Sequence, residues 1–137
     1  GDNARRYAFA ASAALADAEA KRAMFRRFTR DAELPESWIE EALAPFNAPE
    51  HAAYTTPLLG AALARLPELK RRRKIFFVEH WLGAFLAGQT DAQALSAVQR
   101  FLRGRVEPDL RLKVLEAADG LERAVRIRER FANAADR

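Results

Sequence analysis

Residues 69–89 read LKRRRKIFFVEHWLGAFLAGQ, and this stretch decides the fold class. Its apolar side chains recur at helical spacing and cover more than one face of the helix that they define: Ile75, Phe76, Val78, Leu82, Phe85 and Leu86. A helix that is apolar on several faces lies inside a domain, with neighbours on more than one side. We therefore predict one central helix from Pro67 to about Ala87, ended by Gly88 in the left-handed conformation.

Residues that break helices divide the remainder of the chain into shorter helical segments on both sides of this one. The predicted segments are Ala4–Leu15, Ala18–Arg30, a third from Pro35 to a stop at Pro45, Leu58–Leu66, Thr90–Leu102 and Pro108–Phe131 with a kink possible at Gly120. Residues 47–57 read as a loop or one short turn. The count is about seven helices.

Connections of mostly two to eight residues place consecutive helices antiparallel and side by side. The fold class predicted for residues 1–137 is a single all-α domain, an array of antiparallel helix pairs resembling a HEAT or armadillo solenoid. No clean repeat period is present, so an irregular bundle stays open as the alternative. Asp17 is a predicted N-cap, and Thr90 with Gln93 forms the pattern of a capping box.

The two ends of the chain differ in polarity. The first segment is apolar nearly all round, through Tyr7, Ala8, Phe9, Ala10, Ala11, Ala13, Ala14 and Leu15. The last segment sets a polar face against an apolar stripe that runs from Leu110 to Phe131, as a terminal cap requires. This contrast predicts an array that is open at its start and capped at its end. A free-standing domain with an Ala-rich first helix, or a dimer interface there, is the alternative.

The composition of the chain argues against several classes of function. The chain has no cysteine, which excludes disulfides, thiolate catalysis and cysteine-based zinc sites within it. Its formal charge of +4 is small for a dedicated nucleic-acid binder. No stretch reaches the ~18 apolar residues of a membrane span, and no apolar leader follows the first basic residues. The compartment, cytoplasm or periplasm, is left open.

Catalytic patterns are absent from the sequence. A zinc peptidase needs two histidines four residues apart with a glutamate between them, and His51 and His80 do not satisfy that spacing. The serines fall within helices and lack a Gly-x-Ser-x-Gly context. Adjacent carboxylates such as Glu40 and Glu41 are typical of a solvated helix face. We predict no catalytic residue and no metal ligand in this chain.

The run Lys70-Arg71-Arg72-Arg73-Lys74 is the strongest local charge feature. In the predicted central helix it lies near the N-terminus, where positive charge opposes the macrodipole and needs a compensating partner. One interpretation is a phosphate-binding surface with Phe76 or Phe77 available for stacking, in a free-standing helical adaptor or nucleic-acid module. Helical spacing disperses the five charges around the helix, however, and this disfavours a phosphate-binding surface.

Three stretches carry a family resemblance: residues 69–89, LPESWIEEALAPFNAPEH at 34–51 and DLRLKVLEAADGLERAVRIRERF at 109–131. Together they resemble the C-terminal domain of bacterial aminopeptidase N-type zinc metallopeptidases, over about Ala8 to Phe131. In that family this domain is a HEAT-like helical array that follows the catalytic domain and encloses the active-site cavity. The family's zinc-binding motif and its Gly-x-Met-Glu-Asn loop belong to the catalytic domain, and neither occurs here.

The resemblance implies a non-catalytic role for this chain as the C-terminal fragment of a longer aminopeptidase. Its partners would be the catalytic domain of the same polypeptide, which holds the zinc, and a peptide substrate; no nucleic acid and no membrane are expected. The implied cavity residues are Lys70, Arg72, Arg73, Lys74 and Trp81, the basic ones reaching toward a peptide's C-terminal carboxylate. Weak dimerisation of the isolated fragment is a further expectation, through an exposed apolar strip on its first helix that includes Tyr7 and Phe9.

Overall fold

Helices make up nearly all of residues 1–136, which are the residues that the computed structural model describes. The α-helices are α1 Asp2–Ala13, α2 Ala18–Arg30, α3 Glu36–Phe46, α4 Ala52–Thr55, α5 Leu59–Ala64, α6 Leu66–Arg72, α7 Ile75–Leu86, α8 Ala92–Arg103 and α9 Pro108–Ala135. Two 3₁₀ turns, Pro49–His51 and Thr56–Leu58, flank α4. No strand occurs within these residues, and the predicted all-α class is confirmed.

The predicted single helix from Pro67 to Ala87 is wrong, because the chain breaks at Arg73 and Lys74. Both residues are extended, with ψ angles of 162° and 153°. The break leaves Lys70, Arg71 and Arg72 in the last turn of α6, where positive charge is favoured by the macrodipole. Had one helix continued, these cations would have stood in its first two turns, close to the positive end of the dipole.

Two other predicted boundaries are corrected. Pro45 does not stop α3 but lies inside its last turn, and the fully buried Phe46 follows it as the final residue. The N-cap of α8 is Asp91 rather than Thr90: the Asp91 carboxylate accepts a hydrogen bond of 2.7 Å from the Gln93 backbone N–H. An ionised carboxylate at this position also complements the helix dipole.

Gly88 has the role that the sequence predicts for it. Its φ of +77° is the only positive φ among the described residues, and it follows the Ala87 C-cap of α7. A Cβ at this position would stand 2.8 Å from the Cγ of Pro49. The glycine is therefore required twice, for backbone conformation and for the close approach of the 3₁₀ turn.

Four helices, α1, α3, α7 and α9, contact one another in succession and form a row, with others packed against it. In the row, α1 contacts α3, α3 contacts α7, and α7 contacts α9. Behind it, α5 contacts both α7 and α8, and α8 contacts α9. This arrangement belongs to the helical bundle and solenoid-like class, and it leaves the outer faces of α1 and α9 at the two ends of the row.

Trp81 lies at the centre of the core, with 1% of its surface exposed. Four phenylalanine rings surround its indole at centroid distances between 4.7 and 6.3 Å: Phe25, Phe28, Phe77 and Phe85. The indole Nε1 donates a 3.1 Å hydrogen bond to the Ala62 carbonyl in α5. One side chain therefore joins α2, α5 and α7.

Both ends of the row depart in part from the sequence expectation. Phe9 of α1 is 5% exposed and packs on Phe28 and Trp38, so grouping it with Tyr7 on an exposed strip is wrong. In α9 the buried stripe runs from Leu110 to Val125. Phe131 does not belong to that stripe, because α9 extends beyond the body of the domain and leaves this ring 73% exposed.

Lys21 of α2 is an almost fully buried charge with 1% exposure. Its Nζ donates hydrogen bonds of 2.6 Å to the Ala13 carbonyl and 2.8 Å to the Phe46 carbonyl, the last residues of α1 and α3. It also lies 3.5 Å from the His51 Nδ1. Carbonyls at helix C-termini lack helical partners and carry the negative end of the dipole. Lys21 therefore caps two helices at once.

Replacing Lys21 by Met should lower the free energy of unfolding by about 3 kcal/mol, because two charge-assisted hydrogen bonds are lost and two buried carbonyls lose a partner. Denaturant unfolding measures the loss. The matched control is Arg22→Met on the exposed side of the same helix, with a change of about 0.5 kcal/mol or less. Equal losses in the two variants would contradict the capping role.

Burial also lowers the pKa of Lys21 below its ordinary value of 10.5. Between the lowered pKa and 10.5 the unfolded chain binds one proton more than the folded chain, so the free energy of unfolding rises with pH in that window. The difference between the wild type and Lys21→Met should therefore widen as the pH is raised toward 10.5.

Candidate functional site

Three side-chain contacts link successive helices of the row. Arg6 of α1 meets Glu41 of α3 at 2.8 Å. The neighbouring Glu40 lies 3.2 Å from His80 Nδ1 of α7, and Glu79 accepts a 2.8 Å hydrogen bond from Lys113 of α9. Glu41 of α3 therefore binds toward α1, and its neighbour Glu40 binds toward α7.

The basic run is divided among several acidic partners. Lys70 donates to the carboxylates of both Glu107 and Asp109, which lie at the start of α9. Arg73 donates a 3.0 Å hydrogen bond to Glu36, and its guanidinium stands 5.3 Å from the centre of the Phe77 ring. These carboxylates compensate the positive charge of Lys70 and Arg73, two members of the basic run.

The other members of the run face solvent. Arg72 lies 3.4 Å from Glu68, with 76% of its side chain exposed. Arg71 and Lys74 are exposed, and neither forms an ion pair with any residue in the range 1–136. Phe76 is exposed beside them, whereas Phe77 is buried.

A cleft of about 140 Å³ between α2 and α6 brings several of these residues together. The predicted cavity residues Arg72, Arg73 and Trp81 line it, while Lys70 and Lys74 do not. The remaining lining residues are Phe28, Thr29, Arg30, Asp31, Ala32, Arg65, Glu68 and Leu69. Trp81 contributes from the core, so its part in the cleft is an apolar wall rather than a polar contact.

Positive charge dominates the cleft, which is lined by four arginines and two carboxylates. Glu68 accepts a 2.7 Å hydrogen bond from Arg65, and this bond, assisted by the charges of Arg65 and Arg72, holds the pKa of Glu68 below its usual range. Asp31 is directed to its own loop: it accepts from the Glu33 N–H and lies 3.5 Å from Arg27. The two carboxylates are thus engaged, and guanidinium donors remain in excess.

Sequence reasoning missed Arg30 and Arg65 because they lie in different segments and outside the basic run. The signal for Arg65 was present: Arg65, Glu68 and Arg72 are spaced i, i+3 and i+7, which places them on one helix face. Arg30 carries no such signal, since its proximity to α6 arises only from tertiary packing.

Both histidines and Ser12 have partners within the fold. His51 lies near the Lys21 amine, His80 pairs with Glu40, and the Ser12 hydroxyl donates to the Ala8 carbonyl in its own helix. Among residues 1–136 no three His, Cys, Asp or Glu side chains are placed to hold a metal ion. In the same residues, no helix combines the length and hydrophobicity needed to cross a bilayer.

The chain was compared with models of known protein families, with curated proteins and with solved structures, and none of them matches it. The function must therefore be argued from the residues and their geometry.

Replacing Lys70 by Gln should lower stability at neutral pH, because the tie between α6 and the start of α9 is lost. The hydrogen bond from Lys70 holds the pKa of Asp109 below its ordinary value of 3.8. A depressed carboxyl pKa stabilises the fold above the unfolded pKa, and that contribution disappears as the pH falls through the folded pKa. The difference in unfolding midpoint should therefore be full at pH 7 and should shrink as the pH falls below the ordinary pKa of Asp109, and salt should reduce it.

Lys74→Gln is the matched control, since Lys74 is exposed and forms no ion pair within the described part of the chain. A loss for Lys70→Gln that is independent of pH, or equal to that of the control, would count against the ion pairs as its cause.

Proposed function

We propose that this chain is the non-catalytic, C-terminal helical domain of a zinc-dependent aminopeptidase, where it walls the active-site cavity and limits peptide access. The resemblance of residues 34–51, 69–89 and 109–131 to that domain suggests the role. The observation that carries the proposal is the uncovered outer face of α1, because a wall domain must continue into the rest of its enzyme.

That face is an apolar stripe at helical spacing. Its members all lie on one side of α1 and its C-terminal end, and all are exposed: Ala4, Tyr7, Ala8, Ala11 and Leu15. The opposite side of α1 is buried through Phe9 and Ala13. A helix that is apolar on both sides is typical of a position inside an array. The stripe is therefore a suitable seat for one more helix.

The size of the stripe favours a partner in the same polypeptide. A helix of 12 residues is about 18 Å long. A stable interface between separate proteins buries about 800 Å² on each side, far more than one face of so short a helix offers. A covalently joined neighbour needs much less area, since its effective concentration is in the millimolar range.

The cationic cleft supports the second part of the proposal. A wall that admits peptides benefits from positive charge that attracts a C-terminal carboxylate. Arg72, with most of its side chain in solvent, is free to turn toward a substrate. The alternative of a nucleic-acid module is weaker, because Lys70 and Arg73 of the basic run already bind carboxylates of this chain.

Two measurements test the proposal. The coding sequence upstream of this chain should contain, in frame, a catalytic domain with His-Glu-x-x-His. The 137-residue chain itself should not hydrolyse aminoacyl arylamides in the presence of zinc. Robust hydrolysis by the pure chain, or an upstream sequence without a peptidase domain, would refute the assignment.

The apolar stripe gives a separate prediction. Tyr7→Lys with Leu15→Lys should leave the unfolding free energy within about 1 kcal/mol and should suppress any self-association in sedimentation, because both side chains are exposed. Phe9→Ala should instead cost about 3–5 kcal/mol, since its ring is in the core. Cooperative unfolding of the double lysine variant would show that the stripe belongs to this domain's own core.

A further inference from the structure

We propose that the cleft between α2 and α6 is a binding site for a phosphate group. The proposed function assigns the same cleft to a peptide carboxylate, and the comparison of acetate with phosphate below decides between the two anions. The inference rests on the apolar wall of the cleft, on its excess of guanidinium donors, and on the ion pairs that already engage its own carboxylates.

The geometry makes the cleft a site rather than a diffuse basic patch. Arg30 comes from the C-terminal end of α2, while Arg65 and Arg72 come from α6 and its N-cap. The walls below them are the buried rings of Phe28 and Trp81. Apolar walls reduce the local dielectric response and strengthen an ion pair formed above them.

The donors of the cleft exceed its acceptors. Each guanidinium carries five N–H groups, so four arginines offer about twenty. Glu68 binds Arg65 and Arg72, and Glu36 binds Arg73. Arg30 has no carboxylate within ion-pair distance among residues 1–136, and Arg72 has one at 3.4 Å. Most of the N–H groups of these two arginines are therefore available to an added anion.

Charge and volume select the ligand class. Four arginines and two carboxylates leave the lining at +2. A phosphate monoester carries a charge of about −1.5 to −2 at pH 7 and neutralises this lining, whereas a carboxylate neutralises only half of it. The volume of about 140 Å³ is enough for one phosphate group. One guanidinium can also donate two parallel N–H hydrogen bonds to two oxygens of a phosphate group.

Titration with inorganic phosphate, followed by ¹H–¹⁵N NMR, tests this. The indole N–H of Trp81 and the Nε–H signals of the cleft arginines should shift together, and the indole of Trp38, which does not line the cleft, should not. Acetate is the control for a monoanion and should bind at least about tenfold more weakly. O-phosphoserine distinguishes the sources: if it binds and inorganic phosphate does not, the site recognises a phosphate monoester.

The variants are chosen so that the fold survives. Arg30→Gln and Arg72→Gln alter exposed side chains and should each weaken phosphate binding about tenfold, the effect of one charge-assisted hydrogen bond. Arg71→Gln removes the same charge from the same helix outside the cleft and should change the affinity less than about twofold.

Three results would overturn the proposal: no saturable shift of the Trp81 indole with either phosphate ligand, acetate binding as tight as phosphate, or an equal loss of affinity in Arg71→Gln and Arg72→Gln. The last would mean that the basic surface attracts anions only through its net charge.

Discussion

The hydrogen bond from the Trp81 indole to the Ala62 carbonyl fixes the geometry on which the rest of the domain depends. Ala62 lies near the end of α5, and its carbonyl also accepts a hydrogen bond of 3.3 Å from the Arg65 backbone N–H. The Trp81 indole, in the middle of α7, is a second donor to this carbonyl and holds the short α5 against the central helix. The phenylalanines of α2 then pack on the same indole. One residue thus joins α2 and α5 to α7.

Periodicity in the sequence was sufficient to locate most of the helices, and the bounds of α2 were predicted to the residue. It failed between α6 and α7, because Leu69 and Phe76 on either side of the basic run are seven residues apart, as in one continuous helix, and give no sign of the break. The break is explained by electrostatics instead, since cations prefer the end of α6 to the start of a longer helix. The buried side of α1 could not be predicted either, because apolar residues lie on all sides of this helix. Only its neighbours in the fold determine that Phe9 is buried and Tyr7 exposed.

The candidate site was predictable only in part. The basic run is evident in the sequence, but its partners are not, since Lys70 meets carboxylates 37 and 39 residues away. Arg72, Arg73 and Trp81 were named from a family resemblance, and the cleft brings these three together. It does not include Lys70 or Lys74, and it adds Arg30, whose position depends on how α2 packs against α6. The sequence shows which residues are charged, but only the tertiary fold shows which of them lie close together.

Helix α9 has a packed first part and an exposed last part, and the two differ in stability. Its first part is held by buried side chains as far as Val125, and every residue from Arg126 to Ala135 is exposed. Ten residues form no stable helix alone in water, so the tail depends on nucleation by the packed part and on the contacts of Arg128 with Thr90 and Asp91. Its amide protons should exchange through local fraying, at a free energy far below that of global unfolding. A helix–coil equilibrium therefore governs this segment, whereas buried side chains hold the first part of α9.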